Sequence, residues 1–416
     1  MDEREPVMVE ITRQHLQLKN EIKNDLIYNI LPYWMNKMVD DKHGGFFGRR
    51  DGYDNLDAAA DKGVILNTRI LWTFSRAARA FSSDKANGTS VEKYRATAGR
   101  AFECLVKYFF DHEKGGVYWM LDHTGKPVAT KKQIYAQAFA IYALTEYYLA
   151  TRQQHALDLS IQLFHLIEQY SFDPLYNGYL EAFDRDWNLL EDLRLSDKDA
   201  NEKKTMNTHL HVLEAYTNLY RCWKDDTLAK QLRNLVILFR DIIINSKNHF
   251  NLFFDERWNV KSDVISFGHD IEGAWLLVDA AKVLEDVDLV RDMEEKCLKI
   301  VDVTVREGMD TDGSLMNEAN SKEIFDTDKH WWPQAEAIVG LLNAWEISER
   351  QDYFDNAVRV WSFIKNKLID ESHGEWYWRV NRAGVVSFDE DKAGPWKCPY
   401  HNGRTAFEVM ERLRAL

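Results

Sequence analysis

Three histidines, His211, His269 and His401, stand at the fronts of apolar stretches reading MNTHLHVLEAY, SFGHDIEGAWLL and YHNGRTAFEVM. An imidazole titrates near neutral pH and can take up and release a proton within one turnover. Three of them at equivalent helix starts, gathered on one mouth, suit acid–base chemistry better than three unrelated core positions. His269 and Glu272 are three residues apart, as are His211 and Glu214, so on a helix each carboxylate shares a face with an imidazole and can orient it.

Other chemistries are tested against the same residues. His209 and His211 with His269 could ligate a metal, but residues two apart on a helix face different ways, and there is no HExxH and no zinc-type cysteine cluster. No GxGxxG follows a strand, so no nicotinamide cofactor is expected. The loop acids Asp184, Asp186, Asp255, Glu256, Asp310, Asp312, Asp326 and Asp328 could supply an opposed carboxylate pair for glycoside hydrolysis, a reading the sequence leaves open. Trp119, Trp187, Trp258, Trp331, Trp332, Trp376, Trp378 and Trp396 fall in loops or junctions. There an indole either seals a loop or offers a platform to an uncharged, ring-shaped ligand such as a sugar.

The elements that must position these groups repeat. Polar or aromatic junctions precede apolar helical stretches six times, and taking Arg69, Gln137, His211, His269, Gln334 and His401 as anchors gives intervals of 68, 74, 58, 65 and 67 residues. Between them lies a second series, DDKHGGFFGRR, DHEKGGVYWMLD, DPLYNGYLEAFD, SKNHFNLFFDE, DTDGSLMNEAN and DESHGEWYWRVN. Glycine or asparagine followed by aromatics reads as a turn feeding a short strand. Helices are expected over 11–38 (with Pro32 bending or restarting it), 67–79, 91–110, 134–150, 157–170, 209–223, 228–244, 271–284, 289–307, 335–348, 353–368 and 405–416. Segment 82–88 reads as a solvent loop, and 190–204 as the longest polar connection, a rim loop or a mobile lid.

At 416 residues two domains are the default expectation. Six units of roughly 69 residues instead favour one domain across 1–416, because units that cannot bury their apolar faces alone stack into one body, and a closed ring leaves no uncovered end. The predicted class is all-α: twelve helices in two concentric layers, with short strands in the connections. A net charge of −14 opposes a nucleic-acid partner. The first ten residues lack the basic start and apolar core of a signal peptide, and no apolar run reaches membrane-spanning length. Cys104, Cys222, Cys297 and Cys398 fit no zinc or redox spacing, so a reducing cytoplasm is the expected setting.

The segments HGGFFGR, GVILNTRILWTF, EKGGVYWM, YAQAFAIYAL, RLSDKDA, MNTHLHVLEAY, LFFDERW, SFGHDIEGAWLL, DTDKHWWPQAEA and WKCPYHNGR, in this order almost end to end, resemble the acylglucosamine 2-epimerase family. The resemblance implies an (α/α)6 barrel, a six-hairpin toroid, acting on a reducing-end sugar without redox cofactor or metal. Carried over by position, the catalytic residues fall on His211, His269 and His401, and the sugar contacts on Arg69, Tyr135, Asn207, Glu272, Trp332 and Trp396. The Trp331–Trp332 pair and the Trp396 block look more like disaccharide-acting members, which implies C2 epimerisation of the reducing-end glucose of a β-1,4-linked disaccharide. Relatives that isomerise mannose or epimerise N-acetylglucosamine share the barrel, so a monosaccharide 2-epimerase or aldose–ketose isomerase is the alternative. Oligomeric state stays open between monomer and weak homodimer.

Overall fold

The computed structural model describes residues 4–83 and 88–414. The expected loop at 82–88 falls mostly outside the described residues, as do the last two positions of the expected final helix.

Six helices form an inner ring: α3 (Val64–Ala80), α5 (Ile134–Thr151), α7 (Met206–Cys222), α9 (Phe267–Val283), α11 (Trp331–Ser348) and α13 (Tyr400–Arg412). Each packs on the next, and α13 packs on α3, so the ring is closed. The outer layer consists of α1 (Arg4–Asp25) with α2 (Leu31–Lys37), then α4 (Gly88–Cys104), α6 (Gln154–Tyr170), α8 (Asp226–Leu238), α10 (Val287–Gly308) and α12 (Gln351–Phe363). The first of these, α1, lies against α13. The expected (α/α)6 barrel is therefore the architecture found.

The two layers follow from patterning. In α5 every residue from Ile134 to Tyr147 is buried, as an apolar-all-round inner helix requires. In α10 burial falls on Leu289, Met293, Cys297, Ile300, Val301 and Thr304, the one-sided stripe of a helix with solvent behind it. Four outer helices end in a single π turn, at Leu26–Ile30, Leu105–Phe109, Phe239–Ile243 and Ile364–Leu368. Pro32 sits in the first turn of α2, just after the first of these, where its missing N–H costs nothing.

Two-residue strands tie each unit to the next. Lys62–Gly63 pairs antiparallel with Met120–Leu121, Lys132–Gln133 with Ala182–Phe183, Lys204–Thr205 with Phe253–Phe254, Ile265–Ser266 with Glu318–Ala319, and Lys329–His330 with Arg379–Val380. An Arg50–Ala393 bridge joins the last unit to the first. In four of the six inner helices the fourth residue clamps the backbone of the turn that precedes it. Gln137 accepts from the Val117 N–H at 2.8 Å and donates to its carbonyl at 3.0 Å, and Gln334 does the same to Leu315. His209 and Asp270 accept the N–H groups of Tyr179 and Phe250. Gly116 is required at its turn: φ is +74°, and a Cβ there would lie 2.9 Å from Gln137 Oε1.

The helix starts need correcting. Five of the six expected inner helices begin three to five residues late, because their polar first turns read as loop, while the second starts at Ile134 as expected. The true starts lie 70, 72, 61, 64 and 69 residues apart. The six anchors are consequently not equivalent. Arg69 and His211 are sixth residues of their helices, Gln137 and Gln334 fourth, His269 third and His401 second.

Each turn-opening aspartate does two jobs. Asp40 Oδ1 accepts the N–H groups of Lys42 and His43, and Oδ2 takes the buried Lys62 ammonium at 2.6 Å. Asp111–Lys132, Asp173–Lys204, Asp310–Lys329 and Asp370–Lys392 repeat the ion pair. In the remaining unit Asn245 stands at the turn and Ile265 in the strand, so both charges are missing together. Removing one partner of such a pair strands the other charge away from water, at about 3–5 kcal/mol. Asp40→Asn should therefore lower urea-unfolding stability by about that amount, and Asp40→Asn with Lys62→Ile, copying the neutral unit, should recover more than half. A single-variant loss below about 1 kcal/mol would refute this role.

Candidate active site

A cavity of about 470 Å³ opens at the N-terminal ends of the inner helices, within the range of small-molecule sites. All nine residues singled out from the sequence line it: Arg69, Tyr135, Asn207, His211, His269, Glu272, Trp332, Trp396 and His401. They converge because the inner helices begin there. Tyr135, Asn207, Trp332 and His401 are second residues, while Arg69, His211 and Glu272 stand one turn deeper as sixth residues. Gly268 makes room, since a Cβ there would meet the Trp332 ring at 2.5 Å.

Each histidine is held at Nδ1. His211 Nδ1 faces Glu214 Oε2 at 2.9 Å, and His401 Nδ1 faces Glu336 Oε1 at 2.7 Å. A carboxylate there requires the imidazole hydrogen on Nδ1, leaving Nε2 as the basic nitrogen. His269 departs from expectation: its Nδ1 meets Ser266 Oγ at 2.8 Å, and Glu272 instead binds Arg404. At the start of α9 the third residue lies within reach of Ser266, the buried last residue of the preceding strand, while the sixth turns toward the barrel axis.

Arg404 occupies that axis. It is 1% exposed and binds Glu214, Glu272, the Tyr400 hydroxyl and, at 2.6 Å, Glu336, with its guanidinium over the Trp275 ring. Burial alone would raise the Glu214 carboxyl, but Arg404 and His211 hold it down at about 2. Burial lifts Glu336 above the usual carboxylate range against the pull of the same guanidinium. Burial depresses His269 to about 4 and drives His401 well below the ordinary imidazole value. Both are thus neutral bases at pH 7.

Glu272, Glu336 and His401 have donor atoms within 4.8 Å of one another, close enough to suggest a cation site. Both carboxylates, however, already direct an oxygen at Arg404, which fills the role of the cation. Arg69 is the contrasting case. It is buried, donates to the Tyr135 hydroxyl at 2.8 Å, lies over the Phe139 and Tyr400 rings, and has no carboxylate partner among the described residues. Asn207 Oδ1 is buried without a partner among them as well. A cation and an acceptor left open at a cavity wall suit a ligand carrying polar oxygens.

The tryptophans divide in two. Trp331, Trp332, Trp378 and Trp396 line the cavity, and the Trp332 ring stands 4.7 Å from His269 and 5.7 Å from His401, centroid to centroid. Trp119 backs Trp396 at 5.9 Å, and Trp187, Trp258 and Trp376 seal hairpins by donating to Lys114 O, Tyr176 O and Asp25. None of the eight loop acids lines the cavity. Asp184 and Asp255 cap their own turns through Asn188 and Asn259, Asp310 pairs with Lys329, and Asp328 with Arg379. The glycosidase reading loses the carboxylates it invoked. Residues 195–199 form part of the cavity mouth, with Asp199 accepting from Ser196 and Lys131 and Gln133 donating to Arg194 O.

Glu336 and Arg404 were missed by sequence reasoning. The signal was a single carboxylate in the apolar run AEAIVGLL, at the same sixth helical position as Glu272 and His211.

Residues 45–403 match the protein family described as N-acylglucosamine 2-epimerase (GlcNAc 2-epimerase). The cellobiose 2-epimerase of Bacteroides fragilis is 48% identical over 94% of this chain and 98% of its own. The structure of cellobiose 2-epimerase from Bacillus thermoamylovorans superposes with a TM-score of 0.90 at 40% identity, covering 95% of this chain and 99% of that one. A D-mannose isomerase structure superposes at 0.81 with 19% identity, over 95% and 97% of the two chains, a likeness of fold alone.

Neutral burial of His269 has a measurable sign. Its folded value near 4 lies below an unfolded value near 6.5, so the unfolded chain binds more protons between those limits and stability falls as pH drops through that window. The decline in Tm from pH 7 to pH 5 should be smaller in His269→Gln than in the unaltered protein. An equal decline would contradict a neutral His269.

Proposed function

Because the chain belongs to the N-acylglucosamine 2-epimerase family, we propose that it is a cellobiose 2-epimerase, inverting C2 of the reducing-end glucose of β-1,4-linked disaccharides. Cellobiose would give glucosyl-mannose, and lactose would give epilactose. The observation carrying this reading is the pair of neutral imidazoles, His269 and His401, flanking Trp332 in one cavity.

Opening the reducing-end ring exposes an aldehyde at C1, which makes the C2 proton removable and yields a cis-enediolate. Inversion requires that a proton leave one face of C2 and arrive at the other. In this reading His269 and His401 serve the two faces, exchanging roles with the direction of reaction. Each presents Nε2 because Nδ1 is engaged by Ser266 or Glu336. Their depressed proton affinity keeps a free base available, and negative charge developing on the enediolate restores affinity when the proton is returned. His211, oriented by Glu214, assists ring opening by moving a proton at oxygen. Arg69, buried and without a carboxylate, stabilises charge on O1 and O2 together with the Tyr135 hydroxyl, and Asn207 and Glu272 hold sugar hydroxyls. Trp332 and Trp396 offer ring faces to the two sugars. No step calls on a redox cofactor or a metal.

Cellobiose incubated in deuterated water with metal-stripped enzyme should yield the epimer carrying deuterium at C2, and His269→Gln or His401→Gln should lower kcat by about 10²–10⁴-fold. Unlabelled product, hydrolysis to glucose, or near-normal rates in both variants would contradict the two-base scheme. Preference for mannose or N-acetylglucosamine over cellobiose would move the assignment to a monosaccharide enzyme.

A further inference from the structure

The barrel has a second hollow, of about 390 Å³, at its opposite end. Where sixth residues face the sugar cavity, the ninth residues Trp72, Tyr142, Glu214 and Trp275 form the inner floor of this rear hollow, with Asn218 on its wall. One of these is itself a carboxylate that orients a histidine, and another touches the second. Glu214 lines the rear hollow while its Oε2 holds His211, and Trp275 Nε1 donates to Glu336 Oε2 at 3.2 Å while Glu336 Oε1 holds His401. The rear hollow thus reaches His211 directly through its wall residue Glu214, and His401 through Trp275 and then Glu336.

We infer that the rear hollow is a second binding site, for a small uncharged polyhydroxylated solute such as a sugar or polyol, whose occupancy is felt at His211 and His401 through Glu214 and Trp275. Charge selects the ligand class. The wall arginines are already matched, Arg76 to Glu411 at 2.5 Å, Arg79 to Glu146 at 2.7 Å and Arg221 to Asp279 at 2.6 Å, and the remaining wall acids Glu214 and Glu408 pair with Arg404 and Arg412, so no wall charge is left without a partner to hold an ion. Hydrogen-bonding capacity is left over. The Asn218 amide, 6% exposed, reaches only the distant Tyr142 O at 3.4 Å and Glu146 Oε2 at 3.5 Å. The floor is aromatic, with Trp72 stacked on Tyr142 at 5.3 Å and 18°. Aromatic faces beneath neutralised, hydrogen-bonding walls are the surroundings a sugar ring takes.

Binding of cellobiitol, which has no carbonyl and cannot turn over, tests this independently of the proposed activity. Calorimetric titration of the unaltered chain should show two sugars per chain. Asn218→Leu should weaken one site at least tenfold and leave the other within twofold, and Trp332→Ala should do the reverse. In Trp332→Ala, cellobiitol should still shift the imidazole nitrogen resonances of His211 and His401. Crystals of the unaltered chain soaked in cellobiitol provide a test that needs no variant. One site per chain, two sites both indifferent to Asn218→Leu, or sugar density confined to the front cavity would overturn the inference. Rear binding without a response at either histidine would overturn the coupling.

Discussion

The structure turns on one buried guanidinium. Arg404 sits among Glu214, Glu272 and Glu336, three carboxylates around a single cation in a region closed to water. Taking that many acids out of solvent without a partner would be prohibitively costly, so their arrangement stands only while Arg404 is in place. The consequence reaches the site directly. Glu214 gives Oε1 to Arg404 and Tyr400 and Oε2 to His211, while Glu336 shares Oε1 between Arg404 and His401 and accepts from Trp275 at Oε2, which fixes the plane of both imidazoles and the nitrogen that carries hydrogen. Arg404 lines neither hollow, so it is a positioning residue that acts through the groups it holds.

Ring closure is what allows such a hub to exist. The guanidinium comes from α13, its carboxylates from α7, α9 and α11, and α13 reaches the axis only because it packs between α11 and α3. The same closure orients all inner helices alike, so their first turns meet at one mouth and their later turns at the other. Strand pairs fasten the units at the sugar-cavity end, where side-chain placement matters most, and buried Lys–Asp pairs reinforce all but one of the junctions. The placement of the Nε2 atoms is thus inherited from contacts that never touch a ligand.

Much of this was legible in the sequence because the repeat is a physical necessity. Apolar stretches broken by aromatic turns specify inner helices and hairpins, and the layers follow. Placing Arg69, Tyr135, Asn207, Trp332 and the three histidines around one cavity needed the ring and the resemblance together. What was not legible was phase. His211, His269 and His401 looked equivalent because each precedes an apolar run, yet they occupy sixth, third and second positions, since polar first turns are indistinguishable from loops without the strand that precedes them. The pairing of His269 with Glu272 failed for the same reason: three-residue spacing permits a contact, but Ser266 and Arg404 offer nearer partners. Arg404 itself was invisible as a hub, because its partners lie 190, 132 and 68 residues away.

This network presets the imidazoles. Nitrogen-15 resonances of His211 and His401 at pH 7 report it without reference to turnover. Both rings should carry hydrogen on Nδ1, with His401 neutral and its Nε2 unprotonated. A His401 signal showing Nε2–H, or rapid exchange between the two tautomers, would contradict it.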